Sequence, residues 1–406
     1  MKASPGTIER IGQKFARIGV VRPAGPAPYA NHAMAAPAPA LTERDIFMRY
    51  RRLGHSGLFV SELCLGTMTF GGSDDMWGQI GQLRQEEADS LVRTALDAGI
   101  NFIDTAAMYS VPPKAKTYGK TETMIGNWLA ANANKRSDII LASKIAGNGI
   151  PWIREGGDIT GEWVIKSVDA SLKRLQTDYI DLYQLHWPNR TTPHFAKHLP
   201  GKVSFSDVDT DAHSKQMLEI LQALNECVKA GKIRHCGLSD DTPWGINEYL
   251  RLSEKHALPK MVSIQNEFNL LHTKDWPYLI ENCVHADVAY LPWSPLGGGV
   301  LSGKYLQGQR PEGSRWSIPQ RNGILRDKPQ VEQAVKAYVD IAAKANITPS
   351  QLALAWCNQI DGVTSTIIGA TSMAQLSEDI QAFSVSLAEE IIEDIKGVLS
   401  QFPSPF

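Results

Sequence analysis

Residues 101–109 read Asn-Phe-Ile-Asp-Thr-Ala-Ala-Met-Tyr, a short apolar run that ends on a carboxylate and is soon followed by a tyrosine. Just upstream, five apolar residues repeat at the spacing of one helix face, and Gly99 after them supplies a helix stop. These five are Ala88, Leu91, Val92, Ala95 and Leu96. A buried strand that follows an amphipathic helix is the repeating unit of a parallel α/β sheet.

The same alternation continues along the chain and gives eight strand candidates. They are Glu62–Leu65, Asn101–Asp104, Ile139–Ser143, Ile180–Leu185, Ile233–Leu238, Met261–Gln265, Ala289–Trp293 and Thr364–Ile368. Several are apolar nearly throughout, as strands buried on both faces are. Eight such strands alternating with helices predict an α/β fold of the (β/α)8 TIM barrel type. A doubly wound open sheet is the competing arrangement, but no G-x-G-x-x-G follows the first strand.

The residues before the first strand divide into two regions. Tyr50–Leu53 and Leu58–Val60 flank a short turn and predict an N-terminal β-hairpin. Residues 1–47 have a different composition, because Val21–Leu41 is rich in Pro and Ala and has no steady period. We expect residues 1–47 to be a disordered extension or a presequence, and residues 48–406 to form a single barrel.

Composition excludes several classes of function. The net charge is −2 and no basic stripe stands out, so a nucleic-acid surface is not expected. No apolar run reaches about 18 residues, so no membrane partner is expected. The five cysteines are scattered and form no C-x-x-C pair, which favours free thiols in a reducing compartment. We expect a cytoplasmic protein without a metal site, or an organellar one if residues 1–47 are a transit peptide.

One polar segment, Asn189–Ser214, interrupts the pattern after the fourth strand and contains His194, His198 and His213. These histidines lack the i, i+4 pairing or the carboxylate companions of a usual metal site. We therefore predict a long loop at the barrel mouth that shapes substrate access.

Polar side chains close several of the strands, at the face where barrels carry chemistry. Asp104 ends the second strand, Lys144 follows the third and His186 follows the fourth, while Tyr109 lies just beyond Asp104. A nearby ammonium favours the phenolate and so lowers the pKa of a tyrosine. The four residues together predict a proton-transfer site, in which Asp104 holds Lys144 and His186 donates a hydrogen bond to a carbonyl oxygen.

An ordered series of motifs resembles the aldo-keto reductase superfamily from about Met48 to the C-terminus. The series is Leu65-Gly66-Thr67-Met68-Thr69-Phe70-Gly71, Asp104-Thr105-Ala106 with Tyr109, Ser143-Lys144, Leu185-His186, Gly237-Leu238-Ser239, Ile264-Gln265-Asn266, Ser294-Pro295-Leu296, Ser302-Gly303-Lys304 and Ile368-Gly369-Ala370-Thr371. The stretch from Met108 to Pro113 resembles the bacterial Tas-like branch in particular.

The resemblance implies an NADP(H)-dependent oxidoreductase that transfers a hydride from NADPH to small aldehydes or ketones. It implies that Asp104, Tyr109, Lys144 and His186 are catalytic, with Tyr109 as the general acid. Tyr118 is the alternative acid, but only Tyr109 keeps the family's five-residue step from Asp104. The implied cofactor contacts are Thr67, Met68, Asp104, Ser239, Asp240, Gln265, Trp293, Ser294, Pro295, Leu296, Gly297, Gly298, Lys304, Arg310, Arg315, Gly369, Thr371, Gln375, Glu378 and Asp379.

Two questions stay open at this stage. The first is whether the cofactor is NADPH or NADH, because Asp240 and Asp379 add negative charge near a polyanionic cofactor, whereas Lys304, Arg310 and Arg315 favour the 2′-phosphate of NADPH. The second is whether the protein is an enzyme or, alternatively, a regulatory or redox-sensing NADPH-binding subunit with little turnover. Channel-associated β subunits of this fold typically carry Asn where this chain has His186, so His186 favours the enzyme.

Overall fold

The computed structural model describes residues 48–71, 83–195, 197–317, 326–403 and 405–406. Two short strands come first along the chain, β1 (Tyr50–Arg52) and β2 (Phe59–Ser61). The strands that follow are β3 (Leu63–Gly66), β4 (Phe102–Asp104), β5 (Ile140–Ile145), β6 (Ile180–Leu185), β7 (Ile233–Ser239), β8 (Met261–Glu267), β9 (Ala289–Trp293) and β10 (Thr366–Ile368). These eight close into a parallel barrel in the order β10-β3-β4-β5-β6-β7-β8-β9. The predicted TIM barrel is thereby confirmed, with each strand within two residues of its predicted ends.

Helices surround the barrel and follow the amphipathic patterns of the sequence. They are α1 (Gln85–Asp97), α2 (Lys120–Ala131), α3 (Gly161–Leu175), α4 (Thr210–Lys229), α5 (Pro243–His256), α6 (Tyr278–Ala286), α7 (Pro329–Lys344), α8 (Pro349–Gln359), α9 (Met373–Ala382) and α10 (Glu389–Gln401). In α1 the buried residues are Ala88, Leu91, Val92 and Ala95, because this face packs on the sheet. The outer core therefore lies between helices and strands.

The N-terminal hairpin closes the bottom of the barrel. Strand β1 (Tyr50–Arg52) pairs antiparallel with β2 (Phe59–Ser61), which confirms the predicted hairpin. Leu53 and Val60 are fully buried in a second apolar cluster, together with inward-facing residues such as Phe102 and Leu182. This cluster fills the lower half of the barrel, so polar groups are confined to the layer above it.

The long segment after β6 ends earlier than expected, since α4 begins at Thr210 rather than after Ser214. Asp209 caps that helix by accepting a hydrogen bond from the backbone N–H of Ala212 at 2.9 Å. Residues 1–47, predicted to be disordered or a presequence, lie outside the described residues. Within the described ranges, no helix is long and apolar enough to span a membrane.

Candidate active site

A buried ion pair stands at the upper, C-terminal end of the barrel interior. Lys144 Nζ donates to Asp104 Oδ2 at 2.5 Å and to the backbone oxygen of Thr105 at 3.0 Å. The Lys144 side chain is 0% exposed and that of Asp104 is 2% exposed. Burial of this kind is tolerated only when each charge is paired, so these two residues depend on each other.

The other carboxylate oxygen of Asp104 binds two side-chain amides. Gln184 Nε2 and Gln265 Nε2 both donate to Asp104 Oδ1, at 3.1 and 2.9 Å. The backbone oxygen of Asp104 accepts from the N–H and the hydroxyl of Thr67, both at 3.0 Å. Asp104 is therefore held on every polar side by its neighbours.

Tyr109 and His186 lie directly above this layer. The ammonium of Lys144 is 5.0 Å from the centre of the Tyr109 ring. The Tyr109 and His186 rings meet edge to face, with centroids 5.6 Å apart. Both rings are partly exposed, whereas Asp104 and Lys144 are buried. The four predicted catalytic residues thus come together, with the two rings facing the mouth.

The environment shifts the pKa values of three of these groups. Burial raises the pKa of Tyr109 and outweighs the opposing effect of Lys144, so the expected lowering of this pKa is wrong in its net direction. Burial lowers the pKa of Lys144, but Asp104 and then Tyr109 more than compensate, and the net pKa is raised. Burial and then Lys144 place the pKa of His186 well below its ordinary value. At neutral pH the site thus holds a phenol, an ammonium and a neutral imidazole.

The alternative tyrosine, Tyr118, lies in a different place. Its ring contacts Trp152 edge to face at 5.9 Å and faces the guanidinium of Arg174 at 5.3 Å. Arg174 in turn is paired with the buried Glu122 at 2.6 Å. These contacts hold Tyr118 in a cluster between helices, whereas Tyr109 contacts both His186 and Lys144.

The beginning of the long segment after β6 is fixed to the end of β7. Arg190 forms an ion pair with Asp241, Thr192 Oγ1 donates to the backbone oxygen of Asp240 at 3.2 Å, and a ring nitrogen of His194 contacts the backbone oxygen of Asp241 at 3.0 Å. His194 thereby serves as an anchor. The predicted position of this segment at the mouth agrees with these contacts.

This segment also brings aromatic rings to the mouth. Phe195 lies 6.5 Å from Trp187 and 6.4 Å from Trp293, between centroids. Trp187 is in contact with His186 at 5.1 Å, and Trp293 Nε1 donates to Asp240 Oδ1 at 3.2 Å. A row of rings therefore runs from the Tyr109–His186 pair to Trp293. Phe195 could not be assigned to this row from the sequence, because it lies in an irregular loop.

A glycine-rich turn follows β9, with two cations beside it. Gly297, Gly298 and Gly299 all have positive φ, at 57°, 71° and 91°, a conformation that other residues rarely adopt. A Cβ on Gly298 would lie 3.2 Å from Arg315 Nη1, and one on Gly299 would lie 3.2 Å from Lys304 Nζ. Burial, and then the charge of Arg315, lowers the pKa of Lys304. Two like charges close to an open backbone favour an anion at this turn.

The remaining predicted cofactor residues fall in three places. Ser294 Oγ accepts from the N–H of Gly298 at 3.0 Å, so Ser294 shapes the glycine turn, and Pro295 and Leu296 lie between them. Ser239 and Gln265 are paired neighbours at the ends of β7 and β8. Arg310 pairs with Asp327 at 3.2 Å and lies over the ring of Trp316. Met68 is partly buried beyond the end of β3.

The residues expected at the adenosine end gather around the beginning of α9. Gln375 Oε1 accepts from the N–H and the hydroxyl of Thr371, at 2.9 and 3.0 Å. Glu378 Oε1 accepts from Thr348 Oγ1 at 2.5 Å, and Gly369 lies just beyond β10. Asp379 is buried, and this burial, followed by the charge of Glu378, raises its pKa to about 8. Burial likewise raises the pKa of Asp240 well above its ordinary value. Asp379 is therefore largely protonated near pH 7, and burial favours the neutral form of Asp240 as well.

Comparisons with known proteins agree with this architecture. The model of the aldo/keto reductase family matches residues 62–400. The protein named Protein tas in Escherichia coli (strain K12) is 40% identical over 88% of this chain and 100% of its own length. An uncharacterised oxidoreductase, YrpG, of Bacillus subtilis is 31% identical over 88% of this chain and 97% of its own.

A third relative, a probable voltage-gated potassium channel subunit beta of rice (Oryza sativa subsp. japonica), is 29% identical over 88% of this chain and 98% of its own. The family match and the 40% identity to the bacterial protein agree with the motifs read along the barrel. The chain belongs to the aldo/keto reductase family, in its Tas-like branch.

Proposed function

We propose that the protein is an NADP(H)-dependent reductase that converts small aldehydes or ketones to alcohols. The observation that carries this proposal is the buried Asp104–Lys144 pair beneath two partly exposed rings, Tyr109 and His186. A phenol above a paired ammonium, beside a neutral imidazole, suits proton donation to an oxygen that becomes negative during reduction.

The residues around the mouth fit a nicotinamide dinucleotide. The glycine turn at 297–299 opens its backbone toward Lys304 and Arg315, which suits the phosphates. Trp293 offers a ring face for the nicotinamide, and Gln265 and Ser239 are within the same rim for its carboxamide. Bound NADPH would supply the hydride. The phosphate preference rests on Lys304 and Arg315, since burial favours the neutral forms of Asp240 and Asp379.

The pKa shifts of Tyr109 and His186 indicate which group donates the proton. Tyr109 carries its proton at neutral pH, since the ordinary pKa of a tyrosine is about 10 and burial raises it further, so its hydroxyl can donate a proton to the carbonyl oxygen. The ammonium of Lys144 stabilises the phenolate that remains, and Asp104 keeps that ammonium in place. His186, being neutral, can donate one N–H to the same oxygen. A positioned acid of this kind is worth about 10²–10⁴ in rate.

A second candidate is a regulatory subunit that binds NADPH with little turnover. The similarity to the rice channel subunit favours it, at 29% identity. His186 favours the enzyme, because an imidazole next to Tyr109 adds a second hydrogen-bond donor for a carbonyl oxygen.

Two measurements on one preparation separate these candidates. Fluorescence titration with NADPH and NADH reports binding, and oxidation of both cofactors across aldehydes, ketones and quinones reports turnover. The enzyme predicts binding and multiple turnovers with a carbonyl compound. Tight binding without oxidation by any member of the panel supports the regulatory subunit, and no binding rejects both.

A further inference from the structure

Gln184 is a fully buried amide in the middle of a barrel strand, and none of the predicted roles includes it. It lies on β6 beside Lys144 on β5 and Gly237 on β7. Its side chain is as buried as that of Lys144, at 0% exposure. A buried amide is costly unless its donors and acceptors are satisfied, so its partners show what it does.

Both ends of the Gln184 amide are engaged by the candidate site. Its Nε2 donates to Asp104 Oδ1 at 3.1 Å, and its Oε1 accepts from Gln265 Nε2 at 3.2 Å. Gln265 Nε2 donates its other hydrogen to the same Asp104 oxygen at 2.9 Å. The three side chains therefore close a triangle, in which Gln265 Nε2 donates one hydrogen to Asp104 and one to Gln184, and Gln184 Nε2 donates one hydrogen to Asp104.

We propose that Gln184 is a positioning residue, which holds Asp104 on Lys144 and fixes the amide of Gln265 with its oxygen directed away from Asp104. This inference rests on the proposed reductase function. Two amide donors occupy Oδ1, so Oδ2 is left for the ammonium. Because the nitrogen of Gln265 is fully used inside the triangle, its oxygen is the group that remains to accept from the carboxamide of a nicotinamide.

The fold leaves room for this arrangement. Gly237 faces Gln184 across the β6–β7 pair, and a Cβ there would lie 3.2 Å from Gln184 Cγ. The titratable groups that interact with Asp104 are Lys144 on β5, Tyr109 after β4 and Cys64 on β3. Asp240 after β7 and His186 after β6 interact with Lys144 instead. Gln184 and Gln265 are the neutral members of this layer, so they can hold Asp104 without adding charge.

The test compares two substitutions of Gln184 with one control. Gln184→Leu keeps the size and removes both hydrogen bonds. Gln184→Glu can reproduce both bonds only while its carboxyl carries a proton, because an ionised carboxylate cannot donate to Asp104. Ser263→Ala is the control, since the Ser263 hydroxyl is buried in the same interior without a partner among the described residues. Unfolding midpoints confirm that each variant is folded.

The pH profile of kcat is the first readout. Loss of one hydrogen bond to a charged group predicts that Gln184→Leu lowers kcat about tenfold or more at every pH. Gln184→Glu should approach the wild-type kcat at the acidic end and fall to or below the Leu variant at the alkaline end. Ser263→Ala should keep the wild-type profile. If Leu and Glu variants both match the wild type throughout, Gln184 only fills space and the proposal is overturned.

The affinity for NADPH is a second readout that needs no turnover. Because Gln184 orients Gln265, the Leu variant should bind NADPH about threefold to tenfold more weakly, while Ser263→Ala binds normally. A wild type that binds NADPH without turnover rejects the reductase but still tests Gln184 through this affinity. A wild type that does not bind NADPH overturns both proposals. A Leu variant that loses stability but keeps its profile and affinity overturns only the role of Gln184.

Discussion

Removing the ammonium from the buried pair is the most direct perturbation of the site's energetics. Lys144→Met keeps the length and apolar stem of the side chain and deletes its charge. Asp104 then stays 2% exposed without the cation that binds its Oδ2. An isolated buried carboxylate destabilises the folded state, so the variant should unfold more easily than the wild type.

Two typical free energies limit how much stability the Lys144→Met variant loses. Breaking a buried ion pair on one side typically costs about 3–5 kcal/mol. A carboxyl group can escape the cost by binding a proton, which at pH 7 requires about 4 kcal/mol. Gln184 and Gln265 still donate to Oδ1, which offsets part of the loss. We therefore expect the free energy of unfolding to fall by about 3 kcal/mol.

Urea unfolding of a double-mutant cycle measures this value. Asp104→Asn removes the charge but keeps an oxygen for the two glutamines, so Asp104→Asn/Lys144→Met should be more stable than Lys144→Met alone. Lys336→Met is the control, because its pair with Asp340 is exposed and should be worth under about 0.5 kcal/mol. A Lys144→Met variant as stable as this control, or a double variant less stable than the single one, would show that Lys144 does not offset the buried charge of Asp104.

Three further predictions concern other parts of the chain. Gly126→Ala should gain about 1 kcal/mol of helix propensity. Its Cβ would lie 2.1 Å from the backbone oxygen of Arg174, and this clash costs more stability than the propensity adds. Thermal unfolding should therefore show a net loss of about 2 kcal/mol. Asp379 has a folded-state pKa of about 8, above its unfolded value, so its contribution to stability is present at low pH and is lost as pH rises through 8. Asp379→Asn should therefore lose less stability than the wild type between pH 5 and pH 9. Denaturation of both proteins at the two pH values measures this, and an equal loss in both would contradict the prediction. Arg315→Leu should raise the KM for NADPH about tenfold or more with little change for NADH, and steady-state kinetics with both cofactors would show an equal effect if Arg315 does not meet the 2′-phosphate.

The strands could be predicted because barrel strands are apolar runs that end at polar residues near the C-terminal face. Strand β8 extends two residues beyond its predicted end at Gln265, to Glu267. The sequence could not show this extension, because Asn266 and Glu267 are stabilised by distant partners, Asp275 and Arg326. Likewise, Thr364 was predicted within β10 but precedes it, and its N–H bonds to Tyr290 instead.

The site could be predicted only as far as spacing along strands allows. The step from Asp104 to Tyr109 favoured Tyr109 over Tyr118, and the contacts of the two rings are consistent with that choice. The net pKa of Tyr109 could not be predicted, because it depends on how deeply packing buries the ring. Gln184 is a polar residue inside an apolar strand, two residues before His186, and this placement was the signal that could have identified it.

Proton donation by Tyr109 to the carbonyl oxygen, with Lys144 stabilising the phenolate that remains, is the step on which the proposed reductase depends. The most direct measurement compares kcat of Tyr109→Phe and Tyr118→Phe with the wild type, using NADPH and the best carbonyl substrate of the panel. We predict that Tyr109→Phe loses about 10²–10⁴ in kcat while its NADPH affinity is unchanged, and that Tyr118→Phe keeps its kcat within about twofold. Full turnover by Tyr109→Phe, or a comparable loss in Tyr118→Phe, would show that Tyr109 is not the proton donor.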